Sequence, residues 1–256
     1  MGEIRKISMR SFPATPKDLA LRRFARNKLL GFNRPFIQNA GEEIYKLIGA
    51  SGSSIQTMRA ALTREWKSAR DEGNKDRSYQ FANDPLFSPV DFHKNLIEYA
   101  DIHAAILRSR GLNCLQGARI MQLAPNWGPY LYYLREACGS IVDGIDMNTV
   151  AVRYAKEQGK LPLRLGDAAR LPFGNNYFDI IISRGFMVGT YLDTFSEDPG
   201  SFMETVIGEV HRTLKPGGML LSHKEDTEHL NSPYSLFSSF SQICFPTDEP
   251  VCVLQK

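Results

Sequence analysis

The segment that most constrains the fold is residues 178–183, where Phe-Asp-Ile-Ile-Ile-Ser places three isoleucines side by side. A run of adjacent β-branched residues suits a strand that is buried on both faces, as strands of a parallel sheet are. From Ala118 onward, short apolar runs of this kind alternate with stretches of helical period. This alternation predicts βαβ units and an α/β fold with a doubly wound, mostly parallel sheet.

The same patterns give the expected limits of the elements in the second half of the chain. Gly139 and the Pro-Gly-Gly run before Met219 are expected to end helices there. The expected strands, besides the one already described, are 119–124, 140–145, 161–165, 219–223 and a terminal hairpin of 242–245 with 251–254. The expected helices are 127–138, 149–157 and 201–214.

The first half of the chain lacks this alternation. We expect a helical N-terminal extension over residues 1–112 and a Rossmann-like domain over residues 113–256. Ser88-Pro-Val-Asp91 has the cap, the early proline and the acid of a helix start. Such an extension can close over the strand ends as a lid lined by aromatic residues, and the candidates are Trp66, Tyr79, Phe81 and Phe87. The helices expected in it are 16–30, 42–48, 54–69 and 88–110.

Charge is distributed unevenly along a chain whose net charge is only +3. Up to Arg34 there are nine cationic and two acidic side chains. This basic arm fits a phosphate-binding or membrane-surface segment, an organelle presequence or a solvated helix face. There is no apolar run of about 18 residues and no apolar core of a signal peptide near Met1. The four cysteines are far apart, so we expect a cytoplasmic protein without a transmembrane segment, disulfide framework or zinc site.

Two aspartates stand where a parallel sheet binds ligands, beyond the carboxyl ends of its strands. Asp146 ends the predicted second strand, and a carboxylate at that place can accept hydrogen bonds from two ribose hydroxyls. Asp167 follows the predicted third strand and can accept from the amine of an adenine. Each can also serve as a solvated or turn-capping residue, and those alternatives stay open from the residues alone.

Residues 118–225 resemble a class I S-adenosylmethionine-dependent methyltransferase of the small-molecule type. The resemblance rests on Asp146, Gly166-Asp-Ala-Ala-Arg170, Leu171-Pro-Phe173, the 178–183 strand and Glu209-Val-His-Arg-Thr-Leu-Lys-Pro-Gly-Gly218. It implies S-adenosylmethionine as the cofactor and a small-molecule methyl acceptor as the partner. The cofactor-binding residues that it implies are Gln122, Ala124, Asn126, Gly128, Asp146, Met147, Asp167, Ala168 and Ser183.

One segment departs from the family's pattern. The first loop of the family usually has an acid followed by Gly-x-Gly-x-Gly, whereas this chain has Gln122-Leu-Ala-Pro-Asn-Trp-Gly128. Gln122 lacks the negative charge, although its carbonyl can accept a hydrogen bond, and Asn126 is among the residues that tolerate positive φ. Two hypotheses follow: an active methyltransferase with the N-terminal helices capping its site, or a catalytically inactive methyltransferase-like binding or partner module.

The sequence identifies no catalytic residue, because an activated sulfonium mainly requires that its methyl group and the acceptor be held in line. The candidate general bases are Tyr191, His223, Asp226 and His229, and no cluster of acids and histidines predicts a metal. Methylation of RNA or a peptide is disfavoured because the basic arm has no stacking-aromatic motif. A nicotinamide dehydrogenase is disfavoured because Gly-x-Gly-x-x-Gly is absent. The acceptor atom and the oligomeric state stay open.

Overall fold

The structure is a computed structural model that describes residues 16–32, 37, 60, 64, 68, 71–72, 88–111, 113–184, 199–223, 240, 242–244 and 251–256. The helix expected over 42–48, most of that expected over 54–69, and the basic arm before residue 16 lie outside these residues. The candidate lid aromatics lie outside them too.

Within the described residues, strands alternate with helices from β1 to β3 and again from β4 to β5, as the sequence predicts. The helices are α1 (Pro16–Leu30), α2 (Ser88–Arg110), α3 (Pro129–Cys138), α4 (Thr149–Glu157) and α5 (Pro199–Thr213). The strands are β1 (Arg119–Leu123), β2 (Ile141–Asp146), β3 (Leu163–Leu165), β4 (Phe178–Ser183), β5 (Leu214–His223), β6 (Gln242–Cys244) and β7 (Val251–Gln255).

The strands form one seven-stranded sheet in the order β3-β2-β1-β4-β5-β7-β6. Strands β1 to β5 are parallel, and β7 runs antiparallel to β5 and β6. The predicted α/β, doubly wound and mostly parallel sheet is therefore confirmed, including the terminal pair of strands. The strand order reverses between β1 and β4, so ligands are expected outside the carboxyl ends of these two strands.

Several element boundaries differ from the sequence prediction, and two of the differences have an evident physical cause. Helix α3 begins at Pro129 rather than residue 127, because Asn126 and Gly128 hold φ values of 54° and 74° that cannot continue a right-handed helix. Strand β5 begins at Leu214 rather than Met219, because Leu214 pairs with Phe178 before the register shifts and Met219 pairs with Ile180. The Lys-Pro-Gly-Gly segment thus lies within the strand instead of only ending a helix.

The sheet is buried on both faces, as the isoleucine run predicts. One face packs against helices α1 to α4, and Ile120, Ile180 and Ile182 join that core. The opposite face packs against α5, and Ile181 and Leu220 join that core. No helix among the described residues is both long and apolar enough to cross a bilayer.

The end of α5 is tied to the segment before β4 by one charged pair. Arg212 contacts Glu209 through Nε at 2.7 Å, and Glu209 accepts a 2.8 Å hydrogen bond from the backbone N–H of Leu171. The same guanidinium donates to the carbonyls of Leu171 at 3.1 Å and Phe173 at 2.8 Å. These charge-assisted bonds fix the chain that leads from the end of β3 into β4.

Helix α2 crosses the sheet in the direction opposite to the parallel strands. Its last residue, Arg110, donates to the carbonyl of Gly217, near the amino end of the regular part of β5. Tyr99, three turns earlier, contacts Arg184 just beyond the carboxyl end of β4. Residues 88–98 continue the helix for about 16 Å at 1.5 Å per residue. The amino-terminal half of α2 therefore extends past the carboxyl edge of the sheet.

Candidate functional site

The loop after β1 keeps the backbone of a glycine-rich turn although it has only one glycine. Ala124, Asn126 and Gly128 have φ values of 45°, 54° and 74°, all in the left-handed region. Such values are uncommon for residues other than glycine and cost an L-residue about 1–2 kcal/mol, least for asparagine. Retention of this backbone at two non-glycine positions indicates a local requirement for the turn, as is found at ligand sites.

Asp146 holds this loop from the end of the neighbouring strand. Its Oδ2 accepts from the backbone N–H of Asn126 at 2.7 Å, and its Oδ1 accepts from that of Asn148 at 2.8 Å. Burial raises the pKa of Asp146, while these backbone N–H groups act in the opposite direction. A carboxylate has about four acceptor positions, so both oxygens retain capacity for further hydrogen bonds. The helix-capping role falls to Asn148, whose Oδ1 accepts from Val150 and Ala151.

The two bulky residues of the loop point toward β2 and away from β4. Trp127 is 1% exposed, and its ring meets the ring of Tyr154 in α4 edge-on at 6.1 Å. The ring of Pro125 lies against Gly144 of β2, so close that a Cβ at Gly144 would approach it to 2.9 Å. β2 and β4 flank β1 on opposite sides. The side chains of Pro125 and Trp127 therefore do not fill the gap between β1 and β4.

Two amide oxygens at this loop are buried without a hydrogen-bond partner. They are Oε1 of Gln122 and Oδ1 of Asn126. Gln122 is 1% exposed and lies on the α1–α4 face, because its neighbours Met121 and Leu123 pack into the opposite core. A buried acceptor without a partner costs about 1–3 kcal/mol, so a donor supplied by a ligand would be stabilising at both positions.

The remaining predicted site residues lie at the carboxyl ends of β2, β3 and β4. Met147 follows β2 and is 57% exposed, an unusual position for a large apolar side chain. Asp167 lies just beyond β3 and accepts from the backbone N–H of Ala169 at 2.8 Å, and Ala168 is buried beside it. Ser183 ends β4 and is buried next to Leu123 of β1. The structure thus brings all nine predicted positions to one edge of the sheet.

An aromatic column beside the loop was not foreseen from the sequence. The ring of Tyr130, in the first turn of α3, stacks on Tyr99 of α2 with centroids 4.7 Å apart. His103 Nδ1 lies 3.1 Å from the Tyr130 hydroxyl, and burial lowers the pKa of His103 to about 4. The Arg184 guanidinium lies 5.2 Å from the Tyr99 ring centroid. Aromatic residues on a helix ordinarily indicate core packing, so Tyr99 and Tyr130 gave no sign of a site. The one sequence signal for this column was Arg184, a charged residue directly after the buried strand β4.

The candidate general bases fall mostly outside the described residues. Tyr191, Asp226 and His229 do so entirely, and His223 is described only as the last residue of β5. The ring of His211, in the last turn of α5, meets the ring of Phe240 edge-on with centroids 5.3 Å apart. Among the residues that the structure describes, no group of three or more histidines, cysteines and acids is arranged to hold a metal.

Comparison with known proteins extends this description. The family described as a methyltransferase domain, Methyltransf_11, matches residues 121–222. These limits begin in β1 and end in β5, so the match contains the loop, the ends of β2 and β3, and the Glu209–Gly218 segment. The family match and the strand order together indicate a methyltransferase-like domain that includes residues 121–222.

The relatives found are partial matches. A demethylmenaquinone methyltransferase of Staphylococcus epidermidis is 28% identical over 50% of this chain and 53% of its own length. A ubiquinone/menaquinone biosynthesis C-methyltransferase UbiE of Burkholderia vietnamiensis is 29% identical over 49% of this chain and 51% of its own. The chain spans about half the length of these curated relatives. A solved TehB-like methyltransferase from Corynebacterium glutamicum is 18% identical, covers 61% of this chain and 94% of its own, and has a TM-score of 0.43.

Residues 121–222 therefore match a methyltransferase domain, in agreement with the sequence resemblance. The sequence resemblance implies S-adenosylmethionine as the cofactor. The described edge of the sheet fits S-adenosylmethionine, because the left-handed loop lets a ligand approach the backbone closely. The buried amide oxygens of Gln122 and Asn126 can also accept hydrogen bonds from a ligand.

Proposed function

We propose that this chain transfers the methyl group of S-adenosylmethionine to a small-molecule acceptor. The observation that carries the proposal is the loop after β1, where Ala124 and Asn126 hold the left-handed backbone that glycine would adopt without cost. The turn forms although neither of these two residues is glycine. A loop that no longer approached a ligand would have no need of this strained conformation.

In this proposal, each residue of the sheet edge binds one part of the cofactor. Asp146 accepts from the ribose hydroxyls with the lone pairs that Asn126 and Asn148 leave unused. The exposed side chain of Met147 covers the adenine, and Asp167 accepts from the adenine amine. Gln122 and Asn126 accept from the ammonium group at the methionine end. The bound cofactor supplies an activated methyl group, and the chain's own contribution is to orient it and exclude water.

The acceptor would bind beyond the gap between β1 and β4. The amino-terminal half of α2 extends past this edge, which supports a capping role for the helical extension over residues 1–112 and a catalytic role for residues 113–256. Two partial relatives are named for methylation in menaquinone and ubiquinone biosynthesis. Those names favour a small organic acceptor over a macromolecule, although neither relative extends over the whole of this chain.

The alternative of an inactive binding module depended on the loop having closed the site. Pro125 and Trp127 would have to fill the space that the methionine moiety occupies. Both side chains instead pack against β2 and α4. Their positions support the active methyltransferase over the inactive module.

Isothermal titration calorimetry with S-adenosylhomocysteine tests the assignment of Asp146. Changing Asp146→Ala should weaken binding by about 1.5–3 kcal/mol, the range for hydrogen bonds that involve a charged group. Asp143→Ala is the matched control, because Asp143 lies on the same strand but its neighbours place it on the opposite face, near Arg164. The control variant should bind like the wild type.

Three results would contradict the proposal. The first is a wild-type protein that binds neither S-adenosylmethionine nor S-adenosylhomocysteine. The second is a folded Asp146→Ala variant with unchanged affinity, which would remove the ribose contact. The third is cofactor binding without methyl transfer to any member of a small-molecule library that includes hydroquinones, since this would favour the binding module.

A further inference from the structure

Helix α1 exposes large apolar side chains on its outer side. Leu19, Phe24 and Leu30 are between 43% and 55% exposed, and they are three of the six exposed large apolar residues in the described part of the chain. Apolar residues that are exposed singly are ordinary, but three within a helix of 15 residues indicate an interaction surface. The Phe24 ring is partly covered, because Lys28 Nζ lies 5.6 Å from its centroid. Leu19 and Leu30 therefore need another explanation.

Two arginines lie between these leucines on the same face of the helix. Exposed residues follow one another at spacings of four, three and four, and they are Leu19, Arg23, Arg26 and Leu30. Residues at such spacings are neighbours along one side of a helix, so the four side chains form a row of about 16 Å. We call this row the outer stripe. It has a leucine at each end and two positive charges in the middle.

The opposite side of α1 is anchored to the rest of the fold. Ala25 and Leu29 are buried in the core shared by α1 to α4. Arg22 Nε lies 3.3 Å from Asp101 Oδ1 in α2, which forms an ion pair. The ring of Phe32, just beyond α1, meets the ring of Tyr133 in α3 edge-on at 5.1 Å. The orientation of α1 is therefore fixed by these contacts, and the outer stripe cannot turn inward to bury its leucines.

The charge of this surface selects the kind of partner. Residues 19–31 contain four basic side chains and no acid, and only Arg22 among the basic ones faces Asp101 of α2. An anionic membrane surface attracts each nearby basic residue by roughly fivefold in affinity.

Apolar side chains add to membrane affinity when they enter the boundary between head groups and acyl chains. A nucleic acid would bind the arginines through its phosphates, but it would gain nothing from the leucines, and the outer stripe has no aromatic ring on which a base could stack. The combination of leucine and arginine therefore favours a membrane over a nucleic acid.

We propose that the outer stripe of α1 binds an anionic membrane surface. Helix α1 lies flat on that surface. Leu19 and Leu30 enter the boundary below the head groups, while Arg23 and Arg26 keep their guanidinium groups at the level of the lipid phosphates. The inference goes beyond the proposed function, because this surface is separate from the cofactor site and its binding requires no methyl transfer.

Flotation of the full chain with lipid vesicles tests the proposal. The wild type should float with vesicles of phosphatidylcholine and phosphatidylserine, and it should bind vesicles of phosphatidylcholine alone much more weakly. The double variant Arg23→Gln with Arg26→Gln should weaken binding to the anionic vesicles roughly 25-fold, since it removes two basic residues. The double variant Leu19→Gln with Leu30→Gln should weaken it roughly 10-fold, because less apolar surface enters the membrane.

A matched control removes the same charge from another exposed helix face. Arg153→Gln with Lys156→Gln deletes two cations that are also three residues apart, on the exposed side of α4. This variant should bind the anionic vesicles like the wild type. Leu30→Trp places a fluorescent reporter in the outer stripe. After subtraction of the wild-type spectrum, its emission should shift to shorter wavelengths when anionic vesicles are added. Circular dichroism checks that each variant is folded.

Four results would overturn the proposal. An equal loss in the α4 control would show that only total charge matters. Vesicle binding without an emission shift from Leu30→Trp would place the contact elsewhere. Binding of a uridine oligonucleotide instead of vesicles, weakened by the double arginine variant, would make the outer stripe a nucleic-acid surface. A wild type that binds S-adenosylhomocysteine but no anionic vesicles would refute the membrane contact and leave the proposed function intact.

Discussion

Two segments of the domain relate to the family pattern in opposite ways. The Glu209–Gly218 segment keeps the family's sequence, and its structure is maintained by Arg212 and Glu209 through bonds to the chain before β4. The Gln122–Gly128 segment departs from the family pattern, yet Ala124 and Asn126 have backbone φ values in the left-handed region. The first segment is held by its side chains, and the second is distinguished by the path of its backbone.

The difference between the two segments follows from what each structure requires of its residues. A network of charge-assisted bonds needs a guanidinium and a carboxylate at fixed positions, so sequence and structure persist together. A left-handed turn needs only tolerable φ values and an anchor, which Asp146 supplies through the N–H of Asn126. The absence of a motif's glycines is therefore only weak evidence that a binding site is lost. The loss of an ion pair would be stronger evidence that the fold has changed.

The largest expected effect comes from breaking the charged network. Arg212→Ala should lower the free energy of unfolding by about 3 kcal/mol, because Glu209 and the carbonyls of Leu171 and Phe173 lose their partner. Urea denaturation followed by circular dichroism measures it. Arg153→Ala is the matched control, since Arg153 and Glu157 form an exposed pair on α4 that contributes under about 0.5 kcal/mol. Equal effects in the two variants would refute the structural role of the network.

The contact of His103 with Tyr130, beside the Gln122–Gly128 loop, should make the free energy of unfolding depend on pH. His103 has an ordinary pKa of 6.5 and a folded-state pKa of about 4. Between these pH values the unfolded chain binds more protons at His103 than the folded chain does. The free energy of unfolding is therefore unaffected by His103 above about pH 6.5 and decreases as the pH falls toward 4. From pH 7 to pH 5 the loss due to His103 should be about 2 kcal/mol.

His103→Asn isolates that contribution, because asparagine can still bond to the Tyr130 hydroxyl but does not titrate. Urea denaturation of both proteins at pH 7 and pH 5 gives the comparison. The variant should lose about 2 kcal/mol less than the wild type over this range. The same slope in both proteins would show that His103 is not buried as a neutral base in the folded state.

The smallest expected effects concern the strained backbone itself. Ala124→Gly should leave the free energy of unfolding within about 0.5 kcal/mol, because relief of the left-handed backbone offsets the greater freedom of glycine in the unfolded chain. Ala124→Val should destabilise by about 1 kcal/mol, because a β-branched residue tolerates positive φ poorly. Thermal unfolding checks both changes. Equal stability of the two variants would show that residue 124 does not hold a left-handed conformation in solution.

The sequence by itself determined the class of fold and the edge of the sheet that carries the site. Three adjacent isoleucines and the alternation around them were enough, because burial on both faces leaves few other environments for such a strand. Asp146 and Asp167 were found for the same reason, since the carboxyl ends of parallel strands meet at one edge. The start of β5 at Leu214 was not found, because a Pro-Gly-Gly run ordinarily marks a break.

Only the tertiary structure decided how the altered loop behaves. The φ values of Ala124 and Asn126 are imposed by Asp146 from another strand, and no local preference of alanine predicts them. The direction of Trp127 depended on Tyr154, which is distant in sequence. Arg184 acquired its place beside the loop through Tyr99 of α2. Local sequence sets the period of burial along each element, whereas contacts between elements are fixed only when the sheet and its helices pack together.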